Sequence, residues 1–439
     1  MQAHDDSLNL FCVQPTNKAI SQSQMIEHLP ISQLSSGCVE FSVTSQNFID
    51  FSRSHIQLRC KIVIGENDPI KFVESLEKYD ATGDVAPTNC LIASMFQKVD
   101  LSLQHQSISN DIPTYCYPYK YMLDTLLTSK VDEQLGILFT KDLSTAINTC
   151  SNFKAVAGTD NAVTDGNPAL KKRTKFVNQG QEFVMTGSIG VDFMKQKRLL
   201  LHNTNIGLKF WPSTPEFSLL SSELTQKFNI KILDAKLVLC HVTLDPAVGV
   251  AISDALKLKS AQYPYINSKM RTHTIAKGSQ VATINDLFGT ECPEQLIVCM
   301  AKSAAVSGSF QHNPYFFSHF NISEIGLYLN NISLPAKPLQ VKFGATAYQS
   351  HYLEAWQRLH RLNPDSIISF EDFHRGYTIF CFDLGNRENF EELLPISHTG
   401  TTKLELRFSK ALEDSIVVFL YGKFKGLLSI DAARNITTQ

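Results

Sequence analysis

The sequence predicts an all-β protein in which one β-rich unit occurs twice. Three observations carry this. Short stretches that alternate apolar and polar residues recur along most of the chain, the period of a strand with one wet face. Helix-period stretches are few. One strand-then-helix passage is also written twice. In its first copy Val99-Asp100-Leu101-Ser102-Leu103 alternates, a polar turn and Ile108 follow, and the aromatic, helix-capable run Tyr117–Leu127 comes next. In its second, Ile325-Gly326-Leu327-Tyr328-Leu329 repeats the strand, Ile332 follows the turn, and Ala347–Trp356 repeats the aromatic helix. Val99 and Ile325 lie 226 positions apart and Tyr121 and Tyr348 lie 227 apart, about half the chain. Coincidence between two ordinary passages is the competing account. Strands this short and numerous suggest sandwiches or barrels.

Composition sets the bounds. At 439 residues and 43% hydrophobic, each half has enough apolar material for its own core. The 28 Phe suit packed sheets. A net charge of −2 argues against a protein that coats nucleic acid by itself. Ten Cys are spread singly with no C-x-x-C pair, so neither a zinc ribbon nor a redox motif is present. Cys60 and Cys381 sit at apolar strand positions and read as buried free thiols. Met1–Asp6 is polar and the apolar stretch behind it is too short for a secretory leader, and no run approaches a membrane span of ~20 residues. The expectation is a soluble protein assembled in a reducing compartment.

In chain order, Met1–Ser36 is Gln/Ser-rich with Pro15 and Pro30, and reads as an extended arm whose Leu8, Leu10, Phe11 and Val13 can dock on a neighbour or fray. Val39–Val43 alternates. Ile56–Ile64 is the cleanest period-2 stretch, with even positions inward, which implies an antiparallel sheet. Glu66–Thr88 reads as a connecting loop. Gly136–Gln181 reads as a long loop-like excursion, of the kind that is functional or mobile. Strands are expected at Glu182–Phe193, Arg198–His202 and Ile206–Phe210, and a long one at Phe228–Leu244 bent near Asp234. Asp245 then caps a helix opened by Pro246, running over Ala247–Lys259 and stopped by Tyr263-Pro264-Tyr265. The junction between halves falls here. Later strands are expected at Met270–Ile275, Val281–Leu287, Gln295–Ala301, Ile322–Leu329, Leu339–Phe343, Gly376–Leu384, Lys403–Phe408 and Ile416–Tyr421, with a helix over Thr346–Arg361.

No motif announces chemistry. There is no G-x-S-x-G, no G-x-x-x-x-G-K-[ST] and no H-E-x-x-H, and none of the 13 His forms the H-x-H of a metal-binding jelly-roll enzyme. His351 and Glu354 lie one helical turn apart, and a solvated face explains them better than a metal. Lys171-Lys172-Arg173 with Lys175 is the densest basic cluster and reads as a solvated charge run rather than a polyanion contact. Asn321, Asn331 and Asn435 begin glycosylation-type triplets that read as chance. The tyrosines of Tyr115–Tyr121 can stack a sugar or a base, but packing is the better account. No catalytic, cofactor-binding or metal-binding residue is assigned.

Several blocks taken together resemble the double jelly-roll major capsid proteins of Polinton (Maverick) elements and adintoviruses, from about residue 38 onward. They are Thr114–Leu127 with its Tyr-Pro-Tyr-Lys-Tyr core, Phe228–Asp245, Ala261–Gly278, Asn313-Pro314, Leu329–Pro338, Ala347-Tyr348-Gln349, Asp372–Thr378 and Leu404–Leu412. Each alone is weak; their order and spacing are specific. The arm and the loop Asp142–Asn178 lie outside the match.

The resemblance implies two fused eight-stranded jelly rolls with short helices in the connections: an arm over 1–36, a first jelly roll over 37–245, a linker helix over 246–260 and a second jelly roll over 261–439. It implies a homotrimer of pseudo-sixfold outline, tiled with neighbouring trimers into the icosahedral capsid of a double-stranded DNA virus or virus-like element. Penton single jelly-roll and minor capsid proteins are the implied partners, assembly is expected inside the host cell, in the nucleus, and no enzyme activity, cofactor or sequence-specific nucleic-acid binding is expected. Asp142–Asn178 is then a candidate outer tower, the helix at Ala247–Lys259 is expected to fix the two jelly rolls in one orientation, and the arm is expected to reach a neighbour or the inner face of the shell. The rival reading is a β-sandwich carbohydrate-binding protein or enzyme; a penton or fibre, which usually carries one jelly roll, fits the repeat less well.

Overall fold

Two sets of eight strands share one wiring. The first half supplies β1 (Ile20–His28), β2 (Val39–Thr44), β3 (Phe48–Ile64), β4 (Phe96–Leu103), β5 (Gln106–Ser107), β6 (Phe183–Gly187), β7 (Asn205–Pro212) and β8 (Phe228–Leu244). The second supplies β9 (Ala261–Ile275), β10 (Val281–Asn285), β11 (Gln295–Lys302), β12 (Ile322–Leu329), β13 (Ile332–Gln340), β14 (Ile379–Asp383), β15 (Thr402–Phe408) and β16 (Ile416–Ile430). The sheets run β1-β8-β3-β6 and β2-β7-β4-β5, then β9-β16-β11-β14 and β10-β15-β12-β13. Along these paths each strand, counted within its half, therefore has the same neighbours as its counterpart, and the named ladders are antiparallel; β16 additionally pairs with the short strand Ile436–Thr438. This is a double jelly roll. The structure is a computed structural model and describes residues 18–34, 37–64, 85–108, 112–148, 167–177, 181–221, 228–343, 350–385 and 399–438.

The alternation of the sequence becomes the inner wall of each barrel. Ile56, Leu58, Cys60 and Ile62 of β3 are buried, as are Val39, Phe41 and Val43 of β2, while Arg59 faces water. Each fully buried Leu or Phe contributes about 1.5–3 kcal/mol relative to exposure. The duplicated passage falls at equivalent places: β4 and β12 are both the fourth strand of their barrel. The helices α1 (Tyr117–Thr128) and, in the second half, Ser350–Leu362 both follow the fifth strand. The bend expected near Asp234 is a register shift between Ile232 and Asp234.

Five expectations need correction. The described part of the arm, from residue 18, is not an arm: Ile20–His28 pairs with β8, because the backbone ladder needs no apolar pattern. The loop-like excursion contains a helix, α2 (Pro168–Phe176), opened by Asn167, whose side chain accepts from the amide of Ala169 at 3.2 Å. The rest of the proposed tower, 149–166 and 178, lies outside the described residues, as do 1–17. The connecting helix α3 (Pro246–Leu258) forms as expected, its Asp245 cap accepting from Ala247 at 2.9 Å. It does not clamp the barrels, however: Leu256 is its buried residue, and Val250 and Leu258 are 62% and 85% exposed. Finally, two expected strands shrink: Glu182–Phe193 is a strand only from Phe183 to Gly187, and Arg198–His202 is reduced to an isolated bridge of Leu200 to Ile49. Other bounds moved modestly: β9 begins at Ala261 rather than Met270, with Pro264 accommodated because β9 is an edge strand, and β13 occupies Ile332–Gln340 with Pro335 and Pro338 on another edge.

Candidate functional site: the seam between the barrels

Helix α1 is the joint between the two jelly rolls. Pro118 opens it, and nearly every side chain it carries is buried, because it is wedged between barrels rather than laid on one. Tyr119 is fully buried, 4.1 Å between ring centroids from Phe419 of β16, with Tyr315 and Phe317 of the second half and Phe217 of the first around it. The Tyr315 and Ser94 hydroxyls share a 2.6 Å hydrogen bond across the seam. The packing account of the tyrosine cluster therefore holds for Tyr117, Tyr119 and Tyr121, whereas Tyr115 is half exposed.

One turn of α1 carries charge into this apolar seam. The Lys120 amine lies 2.7 Å from Asp192 and 3.1 Å from Asp124, and donates to the carbonyl of Gly190 at 2.8 Å. Burial pulls its pKa down, but the two carboxylates outweigh burial and hold it above the usual lysine value. Burial likewise pushes Asp124 up, but Lys120, Lys195 and Lys423 hold its carboxyl well below the usual range. Asp124 also receives Lys195 at 2.6 Å and the Tyr421 phenol at 2.7 Å. Asp192 accepts from the Ser268 amide at 2.9 Å, and Ser268 and Tyr421 share a hydrogen bond of 3.0 Å. Both barrels thus satisfy the same carboxylates.

A second buried ion pair braces the base of the excursion. Arg173 of α2 lies 2.9 Å from Asp142, both side chains essentially without solvent contact. Arg173 also donates to the carbonyls of Pro87 at 3.1 Å and Thr140 at 2.9 Å, and Asn167 donates to Asp142 at 2.8 Å. Across the seam, Tyr377 donates to the Asp142 carbonyl at 3.1 Å. The basic cluster is therefore not a uniform solvated run: Lys172 is exposed and pairs with Glu133 at 3.1 Å, while Arg173 is structural. A third tie joins Lys141 to Asp372 at 2.7 Å, where Asp372 also completes the capping box with Ser369 of α5 (Phe370–Arg375) once α4 (Ser350–Leu362) has passed.

Among the described residues no three His, Cys, Asp or Glu side chains are placed to share a metal ion. Glu354 pairs with Arg358 at 2.8 Å. The eight described cysteines are free thiols, and burial pushes Cys60, Cys90 and Cys116 up to about 12. An open groove of about 510 Å³ at one mouth of the seam is lined by a mixture that includes Leu127, Ile266, Glu294, Asp365 and Lys423. None of the described helices is long and apolar enough to cross a membrane.

Known structures share the architecture. A chain in the cryo-EM structure of the Sputnik virophage matches with a TM-score of 0.66 at 13% identity, covering 100% of this chain and 92% of that one. The Faustovirus major capsid protein matches at 0.54 and 8% identity over 96% and 92% of the two chains, and the mavirus major capsid protein at 0.52 and 9% over 100% and 95%. In sequence, the uncharacterized Caenorhabditis elegans protein F54H12.2 is 26% identical over 258 residues, 57% of this chain. The match spans 62% of that relative's length. No protein-family model matches the chain.

Proposed function

We propose that this chain is the major capsid protein of a double-stranded DNA virus or virus-like element, working as a structural protein without enzymatic activity. The observation that carries the reading is the identical strand order of two jelly rolls locked by a buried seam. The same fold over nearly full length in proteins named as viral major capsid proteins supports it. Two similar barrels per chain let three copies approximate a hexagon, and a seam that fixes their relative orientation is what such a tile requires. A homotrimer would bury about 2,000–5,000 Å² or more per interface. Weaker contacts between trimers are then multiplied by the shell. A net charge of −2 lets like units approach closely and leaves genome neutralisation to another protein.

On this reading the partners are copies of the chain, a penton single jelly-roll protein and minor capsid proteins, and the site of action is the virion capsid, assembled in the host nucleus. The blocks that resemble Polinton and adintovirus capsid proteins, and a relative encoded by an animal, favour an element of that kind. The functional units are the first jelly roll to residue 245, now with β1 added, the helix of 246–260, and the second jelly roll from 261. No catalytic, cofactor or metal site belongs to this proposal. The test is the size and shape of the purified protein. Elution near 150 kDa, three times the 49.1 kDa chain, with hexagonal outlines in negative stain is expected. A monomer that binds glycans would overturn the reading in favour of a carbohydrate-binding sandwich.

A further inference from the structure

We infer that β1 is an exchangeable strand, delivered in the assembled protein to β8 of a neighbouring copy. The inference rests on the capsid reading and deepens it by naming one contact between copies. β1 is an edge strand, and none of its nine residues is buried. Its counterpart in the second barrel, β9, runs for fifteen residues and buries Tyr263, Met270 and Ile275. β1 therefore contributes no buried side chain to the core of the first barrel.

What holds β1 is a backbone ladder, from Ile20 opposite Leu244 to His28 opposite Leu237, and a few polar clasps. Glu27 meets Lys236 at 2.7 Å, and the Nε2 atoms of His28 and His241 lie 3.1 Å apart, with His241 Nδ1 2.8 Å from Ser45. Every one of these contacts is reproduced when the strand comes from an identical chain. Exchange then has to open only the local bonds of the crossing segment, from the Ile31 amide to the Glu40 carbonyl at 2.8 Å and from Ser32 to the Cys38 carbonyl and the Glu40 amide at 2.8 and 2.9 Å. The segment that follows suits a crossing. Residues 29–38 separate β1 from β2, a reach of ~33 Å when extended. Leu29 and Ile31 are 66% and 64% exposed, and Met25 on the strand is 42% exposed. In a closed monomer these apolar side chains face water; a neighbour at the crossing covers them.

The register supplies the test. Met25 lies directly opposite Cys240, a free and fully buried thiol. Directly opposed strand residues lie within the Cα separation a disulfide needs. Met25→Cys is oxidised in the assembled protein and run on a denaturing gel without reductant, beside wild type and the Met25→Cys/Cys240→Ser double variant. The reduced variant must elute as wild type does, which establishes folding. Exchange predicts linked dimers and higher species that vanish on reduction and in the double variant. An oligomer in which the two cysteines join within one chain, or do not join at all, overturns the exchange and leaves the capsid reading standing. A wild-type monomer overturns both.

Discussion

The Tyr421 phenol donates to the Asp124 carboxylate at 2.7 Å, and 297 positions of chain separate the two. The bond joins the last long strand of the second barrel to the helix wedged beside the first. Tyr421 also meets Ser268, so its hydroxyl is fully engaged. Tyr421→Phe should cost about 1–3 kcal/mol, since Asp124 loses a donor in a buried setting. Asp124→Ala should cost more, about 3–5 kcal/mol, because Lys120 is left with less compensation in an apolar seam. The two losses should be less than additive in urea unfolding, since they share one bond. Full additivity would show that the bond does not couple the barrels.

Tyr119 should behave in the opposite way. Its ring packs in the seam, yet its buried hydroxyl has no hydrogen-bond partner among the described residues. Tyr119→Phe keeps the ring and removes an unsatisfied polar atom, so stability should be unchanged or rise by up to about 1 kcal/mol. A loss comparable to that of Tyr421→Phe in the same urea series would mean the hydroxyl is bonded after all.

The contrast between these two tyrosines shows how far the sequence could be read. Period-2 stretches such as Ile56–Ile62 and Leu404–Phe408 located strands because a sheet with one wet face imposes that period. The offset between Val99 and Ile325 was legible because both occupy the fourth strand of a duplicated barrel. β1 was missed because it buries nothing, so no apolar period marks it. The seam was only half legible. The aromatic run at Tyr117–Tyr121 was visible as packing, but Lys120 inside it looks like any helical lysine until Asp192 and Gly190 are brought to it from 70 residues away. Arg173 was hidden for the same reason: its carboxylate partner, Asp142, lies across a long excursion.

Gly190 is a position where neither φ nor space tolerates a side chain. Its φ is +73°, and an added Cβ would stand 2.5 Å from the Tyr121 ring, while its carbonyl receives Lys120. Gly190→Ala combines left-handed strain with a clash against a packed aromatic, and should cost about 2–4 kcal/mol, on the scale of those two effects together. A melting temperature equal to wild type would show that the loop relaxes freely.

Acid should loosen the second barrel through His319. Its ring stacks on Phe343 at 4.4 Å, 5° from parallel, and His374 lies 5.9 Å away. Burial, with a further contribution from His374, pushes its pKa down to about 4 from the ordinary 6.5. The folded state therefore takes up its proton later than the unfolded state does. The resulting stability is complete above about pH 6.5 and is lost as pH falls toward about 4, a total of about 3 kcal/mol. His319→Phe, which keeps the stack but forgoes the bond to the Asn321 amide, should start lower at pH 7 and show a flatter decline between pH 6.5 and 4.5. Parallel declines in urea midpoint for the two proteins would assign the acid sensitivity elsewhere.

The Arg173–Asp142 pair allows a sharper test, because removing one charge should cost far more than removing both. Both side chains are buried, so each has lost its hydration, and their attraction returns only part of that cost. Arg173→Met leaves the Asp142 carboxylate with the amides of Asn167 and Asn89 and no cation at hand, and should cost about 3–5 kcal/mol. Asp142→Leu leaves a guanidinium bonded to carbonyls alone, with a similar loss expected. The double variant Arg173→Met/Asp142→Leu places two apolar side chains where two ions stood, and should recover most of what either single change loses. Because α2 docks through this pair beside Tyr377 of the second barrel, the single variants should also raise proteolysis near α2, while the double variant should not. A double variant as unstable as the sum of the singles would show that the carbonyls of Pro87 and Thr140, rather than the carboxylate, are what Arg173 is there to satisfy.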